Sequence, residues 1–290
     1  GFDALAANTT GTFNTAVGSD ALETITTSNH CTGVGSQALR LNTAASNSAF
    51  GSRSMENNTT GSLNTAVGFD SLFTNTTGTH NTGIGDNALK ANTTASNNTA
   101  VGKSALESNT TGADNTAVGS YALEENTTAS NNTAVGRKAL QENTTGGNNV
   151  AIGYNALDAN TTGANNTGLG KGSLGGNTTA SDNTAIGYSA LEANTTGAQN
   201  VAVGTSSLDA NTTGDDNVAI GKGSLTDNTT GSSNVAVGLV ALGDNTTADN
   251  NTAVGYHALR LNTTGTENTA LGANALDANT TGIENAAVGN

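Results

Sequence analysis

The apolar and polar positions of this chain repeat with a period of 17 residues. Each repeat reads N-T-A-V-G, two variable residues, A-L, two variable residues, N-T-T-G and a final variable pair. The glycine that closes N-T-A-V-G recurs from Gly1 to Gly289, and the interval shortens once, to 16 residues between Gly35 and Gly51. A fixed short period predicts a solenoid, in which each repeat is one structural unit that stacks on its neighbours.

The residue types within the repeat favour strands over helices. Interior glycine and the Asn-Thr-Thr segment oppose helix formation, and common helical repeats have about 33 residues or more. Seventeen extended residues cover about 56 Å, enough for one closed coil with short straight sides. We therefore predict an all-β fold, a parallel β-roll or β-solenoid of about seventeen coils, roughly 80 Å long at about 4.8 Å per coil. We expect residues 1–290 to form one continuous array within a longer chain, with residues 19–60 as its least regular repeats.

The charged residues outline the coil when positions are counted from each closing glycine as position 0. All 32 charged residues, 23 acidic and 9 basic, stand at positions 1, 2, 5, 6, 11 or 12. Charged side chains are rarely buried without partners. We interpret these three pairs of positions as exposed corners and the uncharged stretches between them as the sides of the coil.

The N-T-A-V-G side predicts which residues face the interior. Position 16 is always large and apolar, and position 14 is mostly Thr, with Val in four repeats. Residues two apart in a strand point the same way, so we expect positions 14 and 16 inside, together with the Leu at position 4. Position 15 then points outward, and it is only ever Ala or Gly. Such a face is expected to be covered at close range by another backbone.

This assignment predicts an oligomer. One coil would bury about three apolar side chains, a thin core against a backbone entropy cost of about 1–2 kcal/mol per residue. Packing of several copies through position 15 would add burial, so we expect a homotrimer around an axis, with a monomeric solenoid or a polymer as alternatives. The residues expected at this inter-chain contact are Ala16, Gly33, Ala66, Ala117, Gly168, Ala202 and Ala253.

The Asn-Thr-Thr segment has two interpretations. Each copy is formally an N-glycosylation sequon. Stacked copies could instead form a ladder of amide side chains from coil to coil, and glycans on coils about 4.8 Å apart would be crowded. The fifteen asparagines concerned are Asn8, Asn58, Asn75, Asn92, Asn109, Asn126, Asn143, Asn160, Asn177, Asn194, Asn211, Asn228, Asn245, Asn262 and Asn279.

The repeat N-T-A-V-G-x-x-A-L-x-x-N-T-T-G resembles the repeats of bacteriophage tail-fibre proteins and related bacterial surface proteins. It is more distantly similar to the head repeats of trimeric autotransporter adhesins. The resemblance covers essentially the whole chain and implies a trimeric β-roll in an extracellular fibre. The adhesin heads have a period shorter than 17, and no coiled-coil stalk, anchoring barrel or C-terminal fibre chaperone is visible here.

Composition narrows the partners. The formal net charge of −14 disfavours nucleic acid and anionic membrane surfaces, and no apolar run approaches the roughly 20 residues that span a bilayer. We therefore expect neither nucleic-acid binding nor membrane insertion in this segment. Cys31 is the only cysteine, which excludes an intrachain disulfide and indicates either a drifted repeat or a reactive or intermolecular thiol.

We predict no catalytic residues, no cofactor and no metal site. His30 and His80 stand three coils apart, about 14 Å at the usual strand spacing, which is too far for one ion. The predicted function is a structural segment of an extracellular fibre, a phage tail-fibre shaft or a bacterial adhesin head, that projects or displays a binding surface. One alternative is a self-assembling extracellular filament, with or without N-linked glycans. Another is a module that binds host-surface glycans or proteins through the repeat surface.

Overall fold

The computed structural model describes all residues from 1 to 290, and it contains strands and turns but no helix. The chain divides into two compact units, residues 1–145 and 146–290. The first unit contains β1 (Thr15–Val17), β2 (Thr32–Val34), β3 (Ser48–Phe50), β4 (Thr65–Val67), β5 (Thr82–Ile84), β6 (Thr99–Val101), β7 (Thr116–Val118) and β8 (Thr133–Val135). The second contains β9 (Val150–Ile152), β10 (Thr167–Leu169), β11 (Thr184–Ile186), β12 (Val201–Val203), β13 (Val218–Ile220), β14 (Val235–Val237), β15 (Thr252–Val254), β16 (Thr269–Leu271) and β17 (Ala286–Val288).

Within each unit, strands of successive coils pair in parallel and in register. In the first unit Ala100 aligns with Ala117, and in the second Ala202 aligns with Ala219. Every strand has three residues and comes from the N-T-A-V-G part of its repeat. Each unit is therefore a parallel β-solenoid, and the predicted fold class is confirmed.

The coils turn through residues with left-handed backbone. In one coil Ser104, Leu106 and Asp114 have φ of 53°, 52° and 58°, and the equivalent residues of the other coils behave alike. Left-handed backbone is uncommon for a residue as bulky as Leu. Leu106 adopts it with its side chain fully buried. Two of these three positions, 2 and 12, are among the charged positions that the sequence predicted as corners.

The Leu at position 4 points into the coil as predicted, but the prediction for the strand was wrong. Ala66, Ala117, Ala202 and Ala253, all at position 15, are 0% exposed. Position 16, predicted to be inside, is on the surface, and Val118 is 37% exposed. Position 14 is partly exposed in the inner coils. Each strand therefore turns its small middle residue inward and its first and third residues outward.

The narrowness of the coil explains this orientation. The Leu side chain reaches across the interior towards the strand, so a Cβ added at Gly33 would lie 3.2 Å from the Cγ of Leu22. At Gly168 an added Cβ would lie 3.3 Å from the Cδ1 of Leu157. Only a hydrogen atom or a methyl group fits position 15. The residues predicted at the inter-chain contact therefore pack inside their own chain. Ala16, in the first coil, is half-buried. The others are buried: Gly33, Ala66, Ala117, Gly168, Ala202 and Ala253.

The one 16-residue repeat is one residue shorter than the others, and the missing residue is on the Asn-Thr-Thr side of the coil. The Nδ2 of Asn42 donates to the carbonyl of Ala44, two residues on, at 2.7 Å, whereas Asn58 donates to Gly61, three residues on, at 2.8 Å. Ser46 supplies the left-handed corner with φ of 61°. The following strand β3 keeps its register with β2, so the deletion is absorbed within one side of one coil.

The closing glycine gives the first testable prediction. Gly119 has φ of 139°, and an added Cβ would lie 2.6 Å from the carbonyl carbon of Gly136. We expect Gly119→Ala to lower the free energy of unfolding by at least about 2 kcal/mol, because strained backbone and overlap add up. Chemical denaturation measures this.

Gly172→Asn is the matched control. Gly172 has φ of 68°, and the nearest atom to an added Cβ is 3.6 Å away. Asn tolerates left-handed backbone, so this variant should stay within about 0.5 kcal/mol of the original chain, the range of neutral surface changes. Equal losses in the two variants would contradict the close approach of successive glycines.

Candidate functional site

The most distinctive chemical feature of the chain lies inside the coils, where two columns of asparagine side chains share the interior with the buried Leu and Ala residues. One column comes from position 7, the Asn of Asn-Thr-Thr, and the other from position 13, the Asn of N-T-A-V-G. Buried amides are costly unless they are hydrogen-bonded. The two columns satisfy this requirement in different ways.

At position 7 the side chains bond to one another from coil to coil. The Nδ2 of Asn109 donates to the Oδ1 of Asn92 at 3.0 Å and to the carbonyl of Gly112 at 3.0 Å. Its own Oδ1 accepts from the Nδ2 of Asn126 at 2.8 Å. Thirteen of the fifteen predicted asparagines are 0% exposed, and Asn8 and Asn279, near the two ends, are half-buried. The geometry is therefore that of an amide ladder.

The column at position 13 was not identified from the sequence. The Oδ1 of Asn98 accepts from the backbone N–H of Asn115 at 3.0 Å, and the Nδ2 of Asn98 donates to the carbonyl of Gly112 in the next coil at 2.9 Å. The sequence signal that could have identified this column is the near-invariance of position 13 among the repeats, since every repeat except that of Cys31 has Asn there. An invariant polar residue beside a strand indicates a buried hydrogen-bonding role as readily as a surface one.

Cys31 occupies position 13 of its coil. The side chain is buried, and its Sγ donates to the carbonyl of Ala44 at 3.2 Å. Burial raises the pKa of the thiol, which lowers the fraction of reactive thiolate. The residue takes over an asparagine's place inside the coil.

Threonine forms a third column at position 8. The Oγ1 of Thr93 donates to the carbonyl of Thr110 at 3.1 Å, and the Oγ1 of Thr110 donates to the carbonyl of Thr127 at 2.9 Å. The next residue, represented by Thr111, is exposed. The Asn-Thr-Thr segment thus contributes one buried amide, one hydroxyl that links coils and one surface hydroxyl.

The charged side chains pair along the corners. In the first unit the Nη2 of Arg40 lies 2.7 Å from the Oε1 of Glu56, and the Nε of Arg53 lies 3.3 Å from the Oδ1 of Asp70. The Nζ of Lys90 lies 4.0 Å from the Oδ2 of Asp70. Burial raises the pKa of Asp70, and the positive charges of Arg53 and Lys90 oppose that rise. These contacts link neighbouring coils rather than converging on one point.

The second unit has an acidic corner. Burial raises the pKa of Asp227, and the neighbouring carboxylates of Asp244 and Asp209 raise it further. A pair also forms in this unit between the Nε of Arg260 and the Oδ1 of Asp277, at 2.9 Å.

The structure has no pocket and no group of three His, Cys, Asp or Glu side chains that could hold a metal ion. His30 stacks on Phe13 with ring centroids 5.0 Å apart, and His257 stacks on Tyr256 at 3.8 Å. The structure also contains no helix with the length and apolarity that crossing a bilayer requires.

The surface feature that the sequence did not predict is an outward sheet face. We call the first and third residues of the strands, positions 14 and 16, the outer strand face. It contains no charged residue in any coil. Ile84 and Val118 in the first unit are 39% and 37% exposed, and Ile186 and Ile220 in the second are 37% and 40% exposed. An apolar stripe therefore runs along the surface of each unit.

No protein-family model matches the sequence, and no curated protein matches it. The resemblance to tail-fibre and adhesin repeats therefore stays a prediction.

The position-7 ladder gives the second testable prediction. In Asn109→Asp the carboxylate would be buried beside the acceptors of Asn92 and Gly112, and we expect a loss of about 3–5 kcal/mol at pH 7, the cost of a buried unpaired charge. Burial places the pKa of the new carboxyl above its unfolded value of about 3.9. The loss should therefore shrink as pH falls towards that value. Denaturation between pH 3 and pH 7 measures it.

Asn97→Asp is the matched control, with the same change of charge. Asn97 is exposed with φ of 62°, and Asp114 holds the equivalent position one coil later. We expect a change within about 0.5 kcal/mol. A loss in the Asn109 variant no larger than that of the control would show that the ladder does not depend on the amide donors.

Burial of the sequons gives the third prediction. A glycan on Nδ2 would replace a proton that the ladder uses and would need space that the coil lacks. We expect a chain directed to a eukaryotic secretory pathway to be glycosylated before folding, retained in the cell, and secreted at least ~10-fold more when glycosylation is inhibited. Protease-resistant secreted protein with a glycan mapped to Asn109 would contradict this.

Proposed function

We propose that this chain is a structural segment of an extracellular fibre, as a shaft or head region that displays its corner residues. The observation that supports this best is the repetition of the same interior hydrogen bonds through the coils of each unit. In one coil, Asn109 and Asn115 donate four hydrogen bonds that involve an asparagine side chain and that link the coil to its neighbours or close it internally. Such bonds contribute about 2–6 kcal/mol per coil in net terms.

This construction suits a mechanical or spacing role. Each coil contacts mainly its neighbours, so stability is close to a sum of equal contributions along the array. The variable residues are confined to the corners, where they change the surface and leave the interior unchanged. A surface of that kind can vary in what it displays while the support stays constant.

The electrostatic character also supports a fibre outside cells. The formal net charge of −14 is spread over corners along the chain, which favours solubility and opposes binding to nucleic acid. The interior stability comes from amides and hydroxyls and needs no disulfide, since Cys31 is the only cysteine.

A second candidate is a filament that assembles from copies of this chain. The apolar outer strand face supports it, because contiguous exposed apolar surface commonly marks an interaction site. In both proposals the partner of the chain is the chain itself. In the first proposal the assembled chains form a shaft that supports another binding domain. In the second the filament itself is the final structure.

Immunogold electron microscopy of the producing cells or particles tests the proposal. Antibodies raised against the folded chain should label extended appendages at the surface of unpermeabilised material, with about the same labelling after permeabilisation. Labelling that appears only after permeabilisation would overturn the extracellular assignment. Surface label restricted to appendage tips would overturn the role as a shaft.

A further inference from the structure

We infer that the outer strand face is the surface through which two copies of this chain pack face to face. The inference deepens the proposed fibre function by naming the contact surface, and it can be tested separately. It replaces the trimer predicted from position 15, because those alanines and glycines are buried within their own coils. What remains on the strand side of each unit is an uncharged face with an apolar stripe at position 16 and mostly Thr at position 14.

Exposure and composition distinguish this face from the rest of the surface. Its position-16 side chains are about two-fifths exposed, as Leu169 at 41% and Val254 at 38% illustrate. At the adjoining corner, position 1 adds large rings, with Tyr154 at 45% and Tyr188 at 53% exposure. Interfaces combine an uncharged, aromatic-enriched centre with a polar rim. Here the uncharged strand is the centre, and the corner at position 1, which contains both these rings and charged residues such as Lys103, forms one rim.

Charge excludes the corners, and apolar exposure then selects the strand side over the equally uncharged Asn-Thr-Thr-Gly side, whose exposed residue is Thr at position 9. Each copy has a formal net charge of −14, so contact through the corners would bring mostly like charges together. Positions 13 to 16 and the closing glycine contain no charged residue in any repeat. The strand side is therefore a surface on which two copies meet with little repulsion.

The regular pitch identifies the partner as a second copy. The apolar side chains recur once per coil, at a strand spacing of about 4.8 Å. A partner that covers the stripe along its length must present side chains at the same spacing, and a second copy of this solenoid does so at every coil. Two identical faces that meet through a two-fold axis form a closed, isologous contact.

The outer strand face has a sizeable area in each unit. A three-residue strand covers about 10 Å by 4.8 Å, so eight strands in the first unit and nine in the second present about 380 and 430 Å². Within each area the column at position 16 is apolar in every coil, whereas position 14 is mostly Thr.

The experiment measures mass in solution. Sedimentation of the original chain at micromolar concentration should give twice the 28.4 kDa chain mass. We expect a variant with lysine at four positions of the outer strand face to raise the dimer dissociation constant at least ~100-fold, because a buried unpaired charge opposes packing. The substitutions are Ile84→Lys, Val118→Lys, Ile186→Lys and Ile220→Lys.

The matched control adds the same charge to the same four coils on another side. It carries Thr77→Lys, Thr111→Lys, Thr179→Lys and Thr213→Lys, all at exposed position 9, and it should remain a dimer. Equal dissociation in both variants would overturn the inference. So would an original chain that stays monomeric or trimeric, or a dimer that survives the lysines on the face.

A second measurement avoids dependence on how well the lysine variant folds. In Val118→Cys the maleimide labelling rate should fall at least ~5-fold between dilute and concentrated protein, whereas Thr111→Cys should be insensitive to concentration. The native Cys31 is buried and should stay unlabelled in both. A concentration-independent rate at position 118 would overturn the face-to-face pair and leave the cellular localisation of the fibre unaffected.

Discussion

Hydrogen bonding between buried asparagine side chains is the interaction on which the rest of this structure depends. A coil of seventeen residues is too narrow for a layered apolar core, so two asparagine columns share its interior with small residues at positions 3 and 15 and with one large apolar residue, nearly always Leu, at position 4. Because each buried amide needs partners in a fixed place, the repeat length is held almost constant. The single shortened repeat keeps the requirement, since Asn42 and Asn47 are bonded to each other at 3.0 Å and remain buried.

The period and the residue types were enough to predict the class of fold, the stacking of coils, two of the corners and the inward Leu. They were not enough to orient the strand. Alternation shows that positions 14 and 16 share a face, but it does not show which face is inside. A position restricted to Ala and Gly fits a close external contact and a cramped interior equally well. The frequent Thr at position 14 favoured a cramped interior at position 15. If position 14 faced the interior instead, its Thr hydroxyl would be buried and would need a hydrogen-bond partner in every coil.

The candidate site shows a similar limit. Asn-Thr-Thr has the same letters whether it accepts a glycan or builds a ladder, and the difference depends on burial, which a local motif does not contain. The partner column at position 13 was not identified because an Asn beside a strand is compatible with a surface role as well as with a buried one. Both columns become evident when residues that are 17 positions apart in the sequence are compared in the structure. The outward turn of the apolar residues then follows, since the interior has no room for them.

The position-7 column has a direction. Each amide donates towards the preceding coil and accepts from the following one, as Asn109 does between Asn92 and Asn126. The side-chain dipoles within a unit therefore align head to tail and add, in the way that peptide dipoles add along a helix. Two solenoids lying side by side would cancel these fields if they ran in opposite directions and reinforce them if they ran in the same direction. The position-7 column alone thus favours antiparallel neighbours although it contains no charged group, and the Thr hydroxyls of position 8, which donate towards the following coil, oppose this preference.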